Sequence, residues 1–230
     1  LYMVGAYLAA AVSMATGSYW LAVLVAMAGT AVIGVLLEVT LLRRLYARDH
    51  LHQVLATFAL ILMANEGVRM IWGPTALALD PPPSLAGPVE LLPDFGYPAF
   101  RLAIIAVGLV VALLLYVLVS HTRLGMLVRA GASNREMARV MGVRVNLVFT
   151  IVFAIGAALC ALAGAMLGPL FAVQVGMGES ILILAFVVIV IGGIGSIRGA
   201  LVGAVLVGMV DTMGRTIPPM ALRAVLPPAV

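Results

Sequence analysis

The sequence predicts an all-α fold: a polytopic transmembrane helical bundle with a glycine-broken helix pair near its C-terminal end. Three observations carry that expectation. Hydrophobic residues make up 64% of the chain and charged residues only 10%, against roughly 25% charged in a soluble domain. Several apolar runs approach the ~20 residues that cross a hydrocarbon core. The arginines gather between those runs, where positive charge sets orientation, so the net charge of +4 is no sign of nucleic-acid affinity.

Taken in order, the first run extends from Leu1 to about Ala15. It has no charged n-region and does not resemble a signal peptide. It reads as the latter part of a transmembrane helix, in a chain expected to be truncated at both ends. Gly17-Ser18 breaks it, Tyr19-Trp20 supply interfacial aromatics, and a second run reaches about Val39 before Arg43, Arg44 and Arg48. The third run, about Gln53–Trp72, holds Asn65, Glu66 and Arg69 near its end. The proline-rich stretch 73–100 then reads as an irregular, solvent-facing loop with polyproline stiffness in places. A fourth run covers about Leu102–Ser120, and a fifth about Leu147–Leu170, ending at Gly168-Pro169.

The last part differs in kind. The apolar segments Ser180–Ile191 and Ala200–Val210 flank GGIGSIRG at 192–199, and neither is long enough to span comfortably alone. Such a pair suggests broken or re-entrant helices, tolerated where backbone is buried in protein or lines a cavity. Beyond Asp211 the chain turns polar and proline-bearing.

Between the fourth and fifth runs, Arg123–Asn146 is the longest polar interruption, with five of the thirteen arginines. Ser133-Asn134-Arg135-Glu136 has the S-x-x-E spacing of a capping box. Asn134–Met141 suits a two-turn helix with Met137, Ala138, Val140 and Met141 on one face and Arg135, Glu136 and Arg139 on the other. Gly142 stands where a helix end wants a residue tolerant of positive φ. The apolar stripe could lie on the membrane surface, but two turns bury little there, so a partner groove is favoured.

Absences narrow the chemistry. The chain has no lysine, and a phosphate loop G-x-x-x-x-G-K-[ST] needs one, so any ATP that drives this protein is hydrolysed elsewhere. Cys160 stands alone and reads as a packing residue, while His50, His52 and His121 lack metal-ligand spacing. No catalytic, metal or cofactor-binding set is expected. If the Arg43–Arg48 loop is cytoplasmic, arginines 43, 44, 48, 123, 129, 135, 139, 144 and 198 lie inside, and 69, 101, 215 and 223 lie outside. That bias obeys the positive-inside rule; the reverse orientation would violate it.

Four stretches now carry a resemblance: LYMVGAYLA at the start, A-x-N-R-E-x-A-R-x-M-G at Ala132–Gly142, GAALCALAGAMLGPL at 156–170, and GGIGSIRGALVGA at 192–204. In this order and spacing, over almost the whole chain, they resemble the permease subunits of bacterial ABC importers for branched-chain amino acids. The resemblance implies one permease domain over 1–230, with 123–146 as its cytoplasmic coupling loop, in a bacterial inner membrane. It implies as partners a second homologous permease, two ATP-binding cassette ATPase subunits, a periplasmic substrate-binding protein and the lipid bilayer, with no nucleic acid and no cofactor. Importer permeases carry an E-A-A-x-x-x-G element that docks in an ATPase groove. Glu136, Ala138 and Gly142 fall on its positions, with Met137 in place of the second alanine and no I-x-L-P following. Asn134, Arg135, Glu136, Met137, Ala138, Val140, Met141 and Gly142 are therefore the expected coupling residues. Arg198 stands where the family usually has proline.

Glu179, Gly192, Gly193, Gly195 and Glu66 are the candidates for the translocation path. Charges in membrane runs are functional candidates by default. Yet Glu66 and Arg69 at i, i+3 can simply pair, and Glu179 can equally cap the next helix. Gly156, Gly164 and Gly168 suit close helix contact, including a permease–permease interface. The rival readings are an ion-coupled secondary transporter half, which wants midplane carboxylates that Glu66 and Glu179 do not supply, and an intramembrane enzyme, for which no catalytic cluster exists.

Overall fold

A computed structural model describes residues 1–45, 49–85, 87–92, 95–193 and 196–225. The fold is a helical bundle, as the composition requires, with one small hairpin. The helices are α1 (Tyr2–Thr16), α2 (Tyr19–Leu37), α3 (Arg43–Leu45), α4 (His50–Trp72), α5 (Ala99–His121), α6 (Arg123–Ser133), α7 (Arg135–Val140), α8 (Val145–Phe171), α9 (Met177–Gly192) and α10 (Ile197–Val225). A π-helical turn, Glu38–Leu42, joins α2 to α3. Four stretches are long and apolar enough to cross a membrane: Tyr19–Leu45, Leu51–Trp72, Ala99–His121 and Val145–Phe171. The chain divides into two compact units, 1–178 and 179–230.

In the first unit α1, α2 and α8 pack along one another, and α1 is the most enclosed of them. Its sequence, apolar on every side, is what an enclosed helix wants. Lipid tails are as apolar as leucine, so the helices associate by close packing of small residues. A Cβ at Gly5 would overlap the backbone and methyl of Ala161, one at Gly34 would come within 2.6 Å of the Ala157 methyl, and one at Gly164 would lie 2.5 Å from the Tyr2 carbonyl oxygen. The Tyr19 hydroxyl donates to the Ala165 carbonyl at 3.0 Å, satisfying a buried polar group that joins α2 to α8. Most of α4 and α5 is exposed in the single chain, as suits helices that face lipid or other subunits.

Gly164 makes the expected close helix contact, against α1, and Gly168 packs against Leu79 and Val173. Other expectations are corrected. A Cβ at Gly156 meets nothing within 4 Å. Cys160 lies exposed on α8 rather than packed. The proline-rich stretch is neither wholly irregular nor wholly solvent-facing. Leu79 is buried, and Leu77 and Val173 exchange backbone hydrogen bonds of 2.8 and 2.9 Å. Further on, β1 (Pro88–Leu92) pairs antiparallel with β2 (Phe95–Pro98), Pro88 opposite Pro98, with a bulge between Glu90 and Leu92. A two-stranded ribbon has only edges, which is where proline is tolerated in a strand.

In the second unit the glycine break falls between α9 and α10. Gly193 turns with φ of 83°. Its neighbours cross so closely that a Cβ at Gly192 would come within 2.6 Å of the backbone of Gly199 and Ala200. Ser196 caps α10, its Oγ accepting the Gly199 N–H at 3.0 Å. The second member of the pair is not short. Helix α10 runs 29 residues, through the polar segment after Asp211 that hydropathy ends too early. Amphipathic residues continue the helix there where a membrane-type run cannot, since hydropathy tracks lipid exposure and not helix-forming tendency.

Candidate coupling site

The polar stretch between α5 and α8 folds as two helices, not one. Helix α6 begins at Thr122, whose Oγ1 accepts the Gly125 N–H at 3.3 Å. It holds Ser133 in its last turn, so Ser133 cannot start the next helix. The cap expected at Ser133 therefore moves to Asn134, which is extended (φ −149°, ψ 104°) and accepts the Met137 N–H on Oδ1 at 3.0 Å. Glu136 is exposed in the first turn, where the helix dipole favours a carboxylate.

Helix α7 closes on Gly142, which has φ of 83°. Its N–H bonds the Arg139 carbonyl, and the Val143 N–H bonds the Ala138 carbonyl, both at 3.0 Å. Those two bonds make a Schellman motif. Both ends of a six-residue helix are thus fixed by local chemistry, which a helix this short requires. Asn134→Ala is expected to weaken it by about 1 kcal/mol, and Asn134→Gly by only a few tenths. Hydrogen exchange at the Met137 amide measures the difference.

The helix presents a divided surface. Ala138 is 5% exposed and turns inward, not outward with the apolar stripe. Met137, Val140 and Met141 are 62%, 82% and 81% exposed. On the other side, Arg139 Nη2 donates to Asn146 Oδ1 at 3.2 Å, and the Arg135 guanidinium sits 5.0 Å over the Phe149 ring. Both contacts land on the first turns of α8. So α7 is braced against a membrane-spanning helix while its methionine–valine face stays uncovered.

Among the other candidates, Glu66 is exposed and pairs with Arg69 at 3.3 Å, an i, i+3 contact on one face of α4. Glu179 is exposed in the first turn of α9. Gly192 and Gly193 serve the close crossing of α9 and α10, and Gly195 lies outside the described residues. The clefts beside α5 and α8 are lined by Leu115, Leu118, Ile151, Val107 and Leu162 among others, all apolar. They offer no side-chain group to bind a polar solute.

One polar cluster has no counterpart in the sequence reading. Glu38, 1% exposed, accepts hydrogen bonds on Oε2 from Thr150 Oγ1 at 2.6 Å and from Arg43 Nη2 at 3.4 Å. Arg43 Nη2 also donates to Thr150 Oγ1 at 3.0 Å. The only sequence signal was an ionisable residue at the end of an apolar run, since its main partner is 112 positions away.

Comparison with known proteins shows the family. The family model for the permease component of branched-chain amino acid transport systems matches residues 1–230. The chain belongs to that family. With its four apolar spans it is a multi-pass membrane protein. Among similar proteins, the high-affinity branched-chain amino acid transport system permease BraD of Pseudomonas aeruginosa is 37% identical over 115 residues, 50% of this chain and 38% of BraD. The permease LivH of Escherichia coli (strain K12) is 35% identical over 102 residues, 44% of this chain and 33% of LivH. The fructose import permease FrcC of Rhizobium meliloti is 35% identical over 121 residues, 50% of this chain and 33% of FrcC. The matched segments thus span well under half of each relative's length. No solved structure matches the chain.

Proposed function

We propose that the chain is a membrane-spanning permease subunit of an ABC importer in a bacterial inner membrane, moving branched-chain amino acids inward. Two ATPase subunits hydrolyse the ATP, a second homologous permease completes the path, and a periplasmic binding protein delivers the solute. The observation that carries this reading is α7: a helix capped at both ends, braced on α8, with Met137, Val140 and Met141 exposed. A short amphipathic helix of that kind suits a groove in a partner. In a chain without lysine, the partner that supplies ATP hydrolysis is a separate subunit.

The mechanism follows from two-state linkage. ATP closes the ATPase subunits, their grooves carry α7 with them, and the bundle changes the side to which its path opens. ATP thereby shifts the equilibrium by its differential affinity for the two states. Substrate class rests on similarity to BraD and LivH, and FrcC shows that related segments occur in a sugar importer.

The full complex in proteoliposomes tests both points. Leucine uptake is expected to require ATP on the ATPase side and to exceed fructose uptake. Leucine uptake that continues without ATP and collapses with a proton ionophore would overturn the reading in favour of ion coupling.

A further inference from the structure

The buried cluster around Glu38 is the strongest feature that the docking reading leaves unused. It starts in the backbone. Helix α2 is regular to Leu37, then widens to a π turn over Glu38–Leu42 before α3 resumes. Such single turns recur at functional positions in helices. Glu38 lies in the span Tyr19–Leu45 and is fully enclosed, an ionisable group buried near the end of an apolar, membrane-crossing run. Residues of that kind are costly in a membrane and mark working positions.

The cluster is also incompletely satisfied. Glu38 Oε1 and Arg43 Nε are buried and have no hydrogen-bond partner among the described residues. A half-satisfied polar network is a poor staple, and apolar side chains of the same shape would commonly hold two helices at least as well. Stability alone therefore does not account for it.

Its position does. The hydrogen bond and the ring contact that brace α7 fall on Asn146 and Phe149. The next residue, Thr150, is the one that Glu38 and Arg43 hold. The route is short and continuous: α7, the first turns of α8, Thr150, Glu38 and α2, which lies along α1 and α8 for most of its length. A cleft of ≈ 400 Å³ lined by Val39, Arg43, Arg144, Asn146, Leu147, Thr150 and Ile151 opens beside this route, leaving room for the α8 turn to shift.

We propose that the Glu38–Thr150 hydrogen bond, steadied by Arg43, is a positioning contact that transmits movement of α7 into α2 and so couples ATP hydrolysis to reorientation of the bundle. This rests on the importer reading above. The free Oε1 acceptor gives the carboxylate a second bond to make when α8 shifts. The contact can thus differ between two states, as a coupling element must.

The test uses the complete importer in proteoliposomes with radiolabelled leucine as probe. Thr150→Val keeps the side-chain shape and removes the hydroxyl; Thr150→Ser returns it; Glu38→Gln keeps the shape and removes the charge. Thr150→Val and Glu38→Gln are expected to retain their ATPase subunits and hydrolyse ATP, while leucine moved per ATP falls on the order of tenfold, as loss of a hydrogen bond to a charged group implies. Thr150→Ser restores the ratio, and the double variant loses less than the sum of the two single ones, because Thr150→Val removes the contact that Glu38→Gln turns from a charged into a neutral one. An unchanged ratio with ATPases bound overturns the proposal, as do additive losses. Loss of ATPase binding or of folded protein in both variants reduces the cluster to a fold contact and overturns it too. Failure of the docking reading would show separately, as ATPases that stay bound when the α7 face is charged.

Discussion

Met141→Asp and Val140→Asp are each expected to release the ATPase subunits and lower ATP-driven leucine uptake by about 100-fold or more. On the proposed reading these side chains fill a groove, and a carboxylate there is desolvated without a partner. Neither residue is buried against its own chain, Met141 being 81% and Val140 82% exposed, so insertion and folding of the permease should be unchanged. Co-purification of the ATPases, with circular dichroism of the variant, separates the two effects. Gly142→Val is milder and acts by another route. Nothing lies within 4 Å of a Cβ at Gly142, but its φ of 83° puts a branched residue in the left-handed region, at about 1–2 kcal/mol. It loosens the helix end and leaves the face intact. A Met141→Asp importer that still copurifies with its ATPases and transports normally would remove the docking assignment.

What the sequence discloses about this site depends on how local each interaction is. Helices α5 and α8 are legible because they are continuous apolar runs, and the run boundaries of 102–120 and 147–170 lie close to Ala99–His121 and Val145–Phe171. Helix α6 is hidden because Arg123 and Arg129 break the hydropathy, although Thr122 caps it well. Ser133 and Asn134 are equally good caps as residues. The choice between them is made by where α6 ends, which is a structural event and not a compositional one. Ala138 reads as part of the sticky face until the fold buries it. Glu38 is the extreme case: a lone acid near the end of an apolar run, whose meaning depends on a threonine 112 residues away.

The second large effect lies in the core, where two glycines that look alike should answer differently to rescue. Gly5→Ala and Gly34→Ala each add one methyl, and overpacking of this kind costs about 1–3 kcal/mol or more when nothing can move. That is a large share of a domain's typical stability of roughly 5–15 kcal/mol. Both variants are therefore expected to lower the melting temperature and the yield of monodisperse protein. At Gly34 the obstacle is the Ala157 methyl, 2.6 Å from the added carbon, with the Phe153 ring farther off at 3.6 Å. Ala157→Gly takes that methyl away, so Gly34→Ala with Ala157→Gly should recover most of the loss. At Gly5 the added carbon meets the Ala161 methyl at 2.5 Å but also overlaps the Ala161 Cα itself. Removing the methyl leaves the Cα in place, and a backbone atom yields only if α1 or α8 moves as a whole. Gly5→Ala with Ala161→Gly should therefore stay unstable. Thermal unfolding of the four variants in detergent decides it. Full recovery of the Gly5 pair would mean that α1 and α8 are not in backbone contact at this level.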